Sequence, residues 1–219
     1  MDHKNTSPKR IVCFGDSLTW GFDPVTRTRL PKEDRWPGVL QNLLGDGYEI
    51  IEEGQCARTI ATDDPAEGEK NGLKYILPCM ESHTPFDLLI IMLGSNDLKR
   101  KFSYSSMDIA GEMRIFLEKV HSYLHFRAER TAKILLVSPP HIGEKIRESW
   151  LGDLFGYENA RKVSQELANW YAQLAEVYHT QFLNAADYAR ASDADSCHMD
   201  AENHHKLGEV LADRVRKLF

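Results

Sequence analysis

The segment Asp87-Leu-Leu-Ile-Ile-Met-Leu-Gly-Ser-Asn-Asp97 joins an almost continuous apolar run to a polar turn. Such a run lacks the alternation of a strand with one wet face, and it is typical of a parallel strand that is covered on both sides. Lys133-Ile-Leu-Leu-Val137 has the same character. Three other runs, the last of them weaker, predict further strands: Arg10-Ile-Val-Cys-Phe14, Tyr48-Glu-Ile-Ile51 and Gln181-Phe-Leu-Asn184.

Helical patterns separate these strands. Apolar residues recur at helical spacing in four stretches, which are residues 36–44, 109–124, 163–177 and 207–218. The alternation of strands and helices predicts an α/β fold, with a five-stranded parallel sheet and helices on both of its faces. We expect one domain over residues 1–219, with a flexible N-terminus over residues 1–9.

The composition is that of an ordinary globular chain. Of the 219 residues, 42% are hydrophobic and 27% are charged, which argues against disorder. The net charge of −6 argues against nucleic acid as a partner. No apolar run approaches the roughly 20 residues that span a bilayer, and the polar start of the chain predicts no secretory signal. The four cysteines are scattered, so we expect free thiols, a cytoplasmic location and no membrane partner.

Three polar motifs follow predicted strands at their carboxyl ends, where open α/β sheets bind ligands. Gly15-Asp16-Ser17 follows the first strand, Gly54-Gln-Cys-Ala-Arg-Thr59 follows the second, and Gly94-Ser-Asn-Asp97 follows the third. The segment Asp195-Ser-Cys-His198 comes after the fifth strand candidate and just before the last helix. Distant parts of the sequence therefore converge at one edge of the sheet, and this convergence carries more weight than any single motif.

Ser17 has two interpretations. A serine hydroxyl becomes a useful nucleophile once a base takes its proton. A strand-to-helix turn would expose the side chain and point free backbone N–H groups toward the same place. The alternative is that Ser17 caps the following helix, which is a common role for serine.

The best candidate for the base is His198, because Asp195 lies three residues before it. In a tight loop, the carboxylate could hold one imidazole nitrogen while the other nitrogen faces Ser17. For an arbitrary Asp-x-x-His segment, the ordinary interpretation is a pair of exposed polar loop residues.

Acyl transfer also needs hydrogen-bond donors for the oxygen that becomes negative. Asn96 could donate from its side-chain amide, together with the backbone N–H of Ser17 and one from the second motif; otherwise Asn96 is a turn residue. Trp20 either forms a wall of an acyl or alcohol pocket or belongs to the core. Asp16 is interpreted as a turn or capping residue rather than a second acid.

Three histidines near the C-terminus, His198, His204 and His205, suggest a metal site at first sight. Neighbouring residues of a helix point in different directions, so His204 and His205 are poorly placed to share one ion with His198. We therefore expect no metal and no cofactor.

Two features of the loops remain. Arg58 and Asp97 are interpreted as polar rim residues that pair and shape the loops. The connection over residues 139–156 is too long for a simple turn. We expect its apolar residues, among them Ile142, Ile146, Trp150 and Leu151, to be exposed and to form either a cover for the site or a subunit contact.

The four motifs occur in the order of the four sequence blocks of the SGNH (GDSL) hydrolases, which this chain resembles from about Arg10 to the C-terminus. Longer stretches are similar to the arylesterase/acyltransferase branch of that family known from a mycobacterial enzyme, namely 14–21, 51–54, 57–59 and 90–97. The resemblance implies a flavodoxin-like, three-layer α/β/α sandwich. It also implies hydrolysis of small esters and transfer of acyl groups to alcohols.

By position, the resemblance assigns Ser17 as nucleophile, His198 as base and Asp195 as the residue that orients the base. Asn96 and the backbone N–H groups of Ala57 and Ser17 would form the oxyanion hole. The family usually has glycine at the position of Ala57. Because a backbone N–H makes the contact, alanine can serve there if its backbone conformation is ordinary.

The first hypothesis is a serine esterase acting on small-molecule esters through an acyl-serine intermediate, with acyl transfer to alcohols as a further activity. Carbohydrate O-deacetylation is an alternative on the same fold, because the fold does not select the substrate. A non-catalytic binding module on the same sheet is the third. The resemblance also implies a homo-oligomer, although the 139–156 connection departs from the family pattern.

Overall fold

Five strands form one parallel sheet in the computed structural model, which describes residues 7–127 and 132–219. The strands are β1 (Lys9–Gly15), β2 (Tyr48–Gly54), β3 (Leu88–Met92), β4 (Lys133–Ser138) and β5 (Gln181–Asn184). Their order across the sheet is β2-β1-β3-β4-β5, the flavodoxin-like order. In this order the chain reverses direction across the sheet beside β1, so the carboxyl ends of β1 and β3 border the crevice where such folds bind ligands. The predicted parallel sheet is confirmed.

Seven α-helices accompany the sheet in the described part of the chain. They are α1 (Ser17–Trp20), α2 (Trp36–Leu44), α3 (Gly72–His83), α4 (Ser106–Phe126), α5 (Gly152–Phe155), α6 (Glu158–Val177) and α7 (Ala201–Leu218). Buried residues of α3, α4 and α6 pack on one face of the sheet, and those of α1, α2 and α7 pack on the other. The result is the expected three-layer sandwich.

The alternating side chains of each strand supply two separate hydrophobic cores. In β1, Val12 and Phe14 belong to the core under α4 and α6, whereas Ile11 and Cys13 belong to the core under α2 and α7. Both sets are fully buried because helices cover both faces, which is why the sequence of β1 is continuously apolar from Ile11 to Phe14.

Helix α3 was not among the four predicted helical stretches. It contains Pro78, which removes a backbone donor from the helix interior and weakens the sequence signal. The Asn71 side chain caps the start of this helix by accepting a hydrogen bond from Lys74 N. Tertiary packing of Ile76, Cys79 and Met80 then holds it against the sheet.

The long connection over residues 139–156 contains a short 3-10 turn, Glu144–Arg147, and helix α5. Ile142, Ile146 and Leu151 are buried, so they are core residues rather than an exposed apolar surface. Trp150 is the exception, with half of its side chain exposed. The expectation of an exposed apolar loop is therefore wrong for the three aliphatic residues and holds for Trp150.

Two sequence expectations concern the ends and the extent of the fold. Residues 1–6 of the expected flexible N-terminus lie outside the described residues, and Lys9 already begins β1. The single domain over 1–219 stays a prediction. Within 7–127 and 132–219, no helix combines the length and the apolar character needed to cross a membrane.

Candidate active site

Ser17 is the first residue of α1, at the sharp turn that follows β1. Asp16 provides the helix cap, since its Oδ1 accepts a hydrogen bond of 2.9 Å from Leu18 N. Gly15 permits the tight turn, because a Cβ there would lie 2.0 Å from Thr19 Oγ1 and 2.7 Å from Met92 O. The capping role considered for Ser17 thus belongs to Asp16, and the Ser17 hydroxyl is left for another partner.

That partner is His198. Its Nε2 lies 2.9 Å from Ser17 Oγ, and its Nδ1 lies 2.6 Å from Asp195 Oδ2. An ionised carboxylate can only accept hydrogen bonds, so Nδ1 carries the hydrogen in this arrangement and Nε2 is free to accept one from the Ser17 hydroxyl. Asp195 is fully buried and His198 is nearly so. This is the geometry of a serine activated by an oriented imidazole.

The loop that carries the pair is organised by the same carboxylate. Asp195 Oδ1 accepts hydrogen bonds of 2.9 Å from Cys197 N and 2.8 Å from His198 N. Ser196 adopts a left-handed conformation with φ of 60°, which allows the chain to fold back over the carboxylate. The three-residue spacing seen in the sequence is therefore the spacing of a closed loop.

Asn96 follows β3 in a short 3-10 turn and is buried beside Asp16, whose Oδ2 lies 3.4 Å from Asn96 Nδ2. Burial raises the pKa of Asp16 to about 6, opposed by the hydrogen bond from Leu18 N and by the nearby charges of His198 and Arg58. The Asp16 side chain thus both caps α1 and helps to orient the Asn96 amide.

Ala57 lies in the same pocket, but its backbone is not ordinary. Its φ of +66° is in the left-handed region, which costs a residue with a Cβ about 1–2 kcal/mol. The backbone of Ala57 is therefore strained rather than ordinary as expected, but alanine adopts this conformation and still lines the pocket. Glycine would carry no such penalty at this position.

Arg58 and Asp97 are buried rather than at the rim, and neither is hydrogen-bonded to the other. Arg58 Nη1 donates to Gly15 O at 2.8 Å, and the guanidinium lies 4.2 Å from the Phe14 ring centroid. Asp97 Oδ1 accepts a 3.0 Å hydrogen bond from Ile60 N, and burial raises the pKa of Asp97 well above its usual range. Arg58 connects the second motif to the end of β1, Asp97 connects the third motif to the segment after the second, and the predicted rim pair is wrong.

A pocket of about 240 Å³ opens beside Ser17 and His198. Asn96 and Ala57 also line it, so four of the predicted site residues meet in one cavity. The remaining lining residues are Phe22, Cys56, Glu67, Ser95, Lys99, Trp150, Leu151, Leu154, Phe155 and Cys197. Sequence reasoning named Trp150 and Leu151 as a possible cover, but Phe22, Glu67 and Lys99 had no local motif to mark them.

Trp20 is not among the residues that line the pocket. Its ring is covered by Arg29, whose guanidinium carbon lies 5.2 Å from the ring centroid, and Arg29 Nε donates to Trp20 O. Phe22, two residues further on, contributes to the wall instead, with its ring centroid 4.3 Å from that of His198. The expectation that Trp20 forms a wall of the pocket is therefore corrected, because Phe22 lies there instead.

A buried cation borders the same cavity. Lys99 Nζ lies 3.1 Å from Glu67 Oε1 and 3.3 Å from Asp64 Oδ2. A buried charge requires such partners, because desolvation without them is costly. The network anchors the segment around Glu67 to the turn that carries Asn96.

In the part of the chain that the structure describes, one group could supply three metal ligands. Glu53, Cys79 and His83 have ligand atoms within 4.8 Å of one another, and none of them lines the pocket. His83 Nε2 is already 2.7 Å from Glu53 Oε1, and burial raises the pKa of the Cys79 thiol to about 12. Glu53 and His83 are therefore already partners of each other, and the Cys79 thiol next to them stays protonated at neutral pH. His204 and His205 have different partners, Trp36 N and Asp34.

Comparison with known proteins gives a consistent picture. Residues 13–206 match the GDSL-like lipase/acylhydrolase family. An acetylxylan esterase of Xylanibacter ruminicola is 25% identical over 94% of this chain and 43% of its own length. The chain spans less than half the length of the curated relatives that it matches.

Solved structures match along their whole length. The aryl esterase of M. smegmatis is 38% identical, with 96% of this chain and 100% of that chain covered and a TM-score of 0.90. A carbohydrate acetylesterase of Sinorhizobium meliloti has the same identity, coverage and TM-score.

Proposed function

The chain belongs to the GDSL-like lipase/acylhydrolase family, and from that premise we propose that it is a serine esterase hydrolysing small carboxylic esters. The resemblance in the four sequence motifs is thereby confirmed at the level of the family. One observation carries the proposal: Ser17 Oγ, the His198 ring and the Asp195 carboxylate stand in hydrogen-bonded series at a pocket.

In the proposed reaction, Ser17 Oγ attacks the ester carbonyl carbon while His198 Nε2 takes the hydroxyl proton. The carbonyl oxygen becomes negative and accepts hydrogen bonds from Asn96 Nδ2 and from the backbone N–H groups of Ser17 and Ala57. His198 then gives the proton to the departing alcohol, and the acyl group stays on Ser17. A water molecule, deprotonated in turn by His198, releases the carboxylic acid and restores the hydroxyl.

The test of this proposal is the Ser17→Ala variant with phenyl acetate as substrate. We expect kcat to fall by at least about 10⁴-fold, because removal of a serine nucleophile leaves only the residual catalysis of the site. Ser122→Ala, which changes an exposed serine of α4, is the matched control. Full activity of Ser17→Ala would remove Ser17 from the mechanism.

A non-catalytic binding module is the contrasting hypothesis from a different class. An organophosphorus serine probe separates the two, since only an activated hydroxyl forms the covalent adduct. We expect one adduct, on Ser17, located by mass spectrometry of peptides. An unlabelled, folded protein would favour the binding module.

Carbohydrate O-deacetylation is the second candidate function. It is favoured by the half-exposed Trp150 at the pocket, because an exposed aromatic ring can pack against a sugar ring. Two of the related proteins are an acetylxylan esterase and a carbohydrate acetylesterase. A panel of acetylated sugars set against aryl acetates distinguishes this activity from arylesterase activity.

Three finer expectations belong to the proposal. Acyl transfer requires an alcohol to replace water at the acyl-Ser17 stage, and ester exchange in the presence of a competing alcohol measures it. Assembly into a homo-oligomer is tested by analytical ultracentrifugation. A cytoplasmic location rests on the four free cysteines and not on the fold.

A further inference from the structure

We propose that Trp150 and Arg27 bind the alcohol half of the ester and that Arg27 favours ring alcohols carrying a carboxylate. The inference rests on the proposed esterase function and specifies the substrate class of that same pocket. It rests on a short hairpin-like turn over residues 22–29, which brings Arg27 next to Trp150.

The direction of the substrate follows from His198. The leaving alcohol must receive its proton from His198 Nε2, so the alcohol half of a bound ester lies on the His198 side of the pocket. Phe22 packs against the His198 ring, with 4.3 Å between the ring centroids. The alcohol half would therefore extend past Phe22.

The segment that begins at Phe22 leads to Trp150. Phe22 and Arg29 form an antiparallel bridge, and Asp23 N donates to Thr28 O at 2.9 Å. Asp23 also accepts hydrogen bonds from Val25 N and Thr26 Oγ1, which stiffen the turn. Arg27 takes a left-handed conformation with φ of 57°. The turn thus holds its side chain over Trp150, where the guanidinium carbon lies 4.7 Å from the ring centroid.

The pocket therefore has an aromatic side with a positive charge next to it. Half of the Trp150 side chain is exposed, and Trp150 lines the pocket together with Phe22. Because half of the Trp150 side chain stays exposed beside the Arg27 guanidinium, aromatic surface remains for a flat or cyclic alcohol.

The charge of Arg27 is available to a ligand. Within residues 7–127 and 132–219, Arg27 forms no ion pair, whereas its neighbour Arg29 is paired with Glu52. The other charged residues of the pocket, Lys99 and Glu67, are paired with each other. An anionic group on the alcohol half would therefore bind Arg27, which lies over the Trp150 ring and has no ion-pair partner among the described residues.

The experiment compares two aryl esters that differ in charge, 4-acetoxybenzoate and 4-acetoxybenzamide, with the whole 219-residue chain as the enzyme. The measured quantity is the ratio of kcat/KM for the anionic ester to that for the neutral ester. We expect Arg27→Gln to lower this ratio by about two- to fivefold, the effect of one exposed ion pair. Arg27→Lys should keep most of the ratio because the charge remains. Arg114→Gln, a charge removal on the outer surface of α4, should give the wild-type ratio.

Ionic strength supplies an independent readout. Salt screens an exposed charge, so the ratio should fall with added NaCl in the wild-type protein and stay flat in Arg27→Gln. An unchanged ratio in Arg27→Gln, or equal salt dependence in both proteins, overturns the role of Arg27.

Two further measurements test the contact with Trp150 and the chemical class of the ring alcohol. Trp150→Ser should lower the preference for phenyl acetate over ethyl acetate by about two- to tenfold, because the aromatic contact is lost; an unchanged preference overturns the role of Trp150. A monoacetylated methyl glucuronoside against the matching methyl glucoside shows whether the charged ring is a sugar or an aryl group.

The failure of this inference is distinguishable from failure of the esterase function. If the esters are hydrolysed but Arg27→Gln leaves the ratio of kcat/KM for the anionic and neutral esters unchanged, only the inference is overturned. Absence of hydrolysis, with no probe adduct on Ser17, overturns both.

Discussion

At the scale of single residues, the Asp195 carboxylate makes several of the contacts that organise the site. Its carboxylate accepts two backbone hydrogen bonds that close its own loop and a third from His198 Nδ1. This contact determines which nitrogen of the His198 ring carries the hydrogen. Nδ1, which is bonded to the carboxylate, keeps it, and Nε2 is left to face Ser17. Ser17 and His198 are 181 residues apart in the chain, and one buried side chain sets the angle at which they meet.

Replacing Asp195 by asparagine should therefore reduce the rate while leaving the fold in place. We expect kcat for phenyl acetate to fall by roughly 10²- to 10⁴-fold, because the imidazole loses the partner that fixes its tautomer and its charge. Asp193→Asn, an exposed position two residues earlier in the same loop, is the matched control. Equal rates for the two variants would contradict the role of Asp195.

His204 is a buried histidine that its surroundings keep neutral. Burial, and then the nearby charge of His198, lower the pKa of His204 from 6.5 to about 3. The unfolded chain takes up this proton below pH 6.5, and the folded chain does not. The unfolding free energy should then decrease as the pH falls through this window, by up to about 1.4 kcal/mol per pH unit.

The measurement is urea unfolding of His204→Gln between pH 7 and pH 5. Glutamine can still accept the hydrogen bond from Trp36 N, and the variant should lose less stability per pH unit than the wild-type protein. His205→Gln changes the exposed neighbour and serves as the comparison. If both variants show the same slope, the buried histidine does not account for the acid sensitivity.

At the scale of elements, the site depends on how closely α1 approaches β2. Gly54 ends β2, and a Cβ on it would lie 2.2 Å from Trp20 N and 2.6 Å from Thr19 C. These are backbone atoms of the short helix that begins with Ser17, so they cannot move without moving the serine. The glycine is required for contact between the two elements, and its φ is not in the left-handed region.

Gly54→Ala should consequently affect stability and activity together. We expect a loss of about 1–3 kcal/mol in unfolding free energy from the steric overlap, and a fall of roughly 10- to 100-fold in kcat/KM because the nucleophile shifts. Gly47→Ala is the control, since a Cβ there meets nothing within 4 Å. A Gly54→Ala protein with wild-type stability would show that α1 can adjust freely.

At the scale of the whole molecule, one sheet separates two hydrophobic cores. Met113 of α4 lies in the first core and Leu211 of α7 lies in the second, and both are fully buried. All five strands contribute to both cores through alternate side chains, although those of the edge strand β2 are only partly buried. Loss of packing on either face should therefore weaken the same sheet.

Met113→Ala and Leu211→Ala test whether the two cores unfold as one unit. Each should cost about 2–5 kcal/mol and shift a single transition, in which circular dichroism and tryptophan fluorescence change together. This would support one domain over the chain. Two separated transitions, each sensitive to one of the variants, would divide the molecule into independent halves.

Much of this architecture can be predicted from short stretches of the sequence. All five strands were predicted from apolar runs, most clearly β3 and β4, because strands covered on both faces have few polar positions to interrupt them. The motifs after β1, β2 and β3 predicted one shared edge, because parallel strands all end there. The Asp195 and His198 spacing predicted a pair within one loop, and the structure closes that loop around the carboxylate.

Only the tertiary structure decided the features that depend on distant parts of the chain. Helix α3 escaped prediction because Pro78 breaks the local signal and packing restores the helix. The left-handed backbone of Ala57 comes from a turn whose path the residue type does not reveal. Phe22 rather than Trp20 lines the pocket, since the direction of a side chain after a one-turn helix depends on what packs beside it. Residue patterns determine which elements form and which edge they share; the contacts across that edge depend on the packing of all the elements at once.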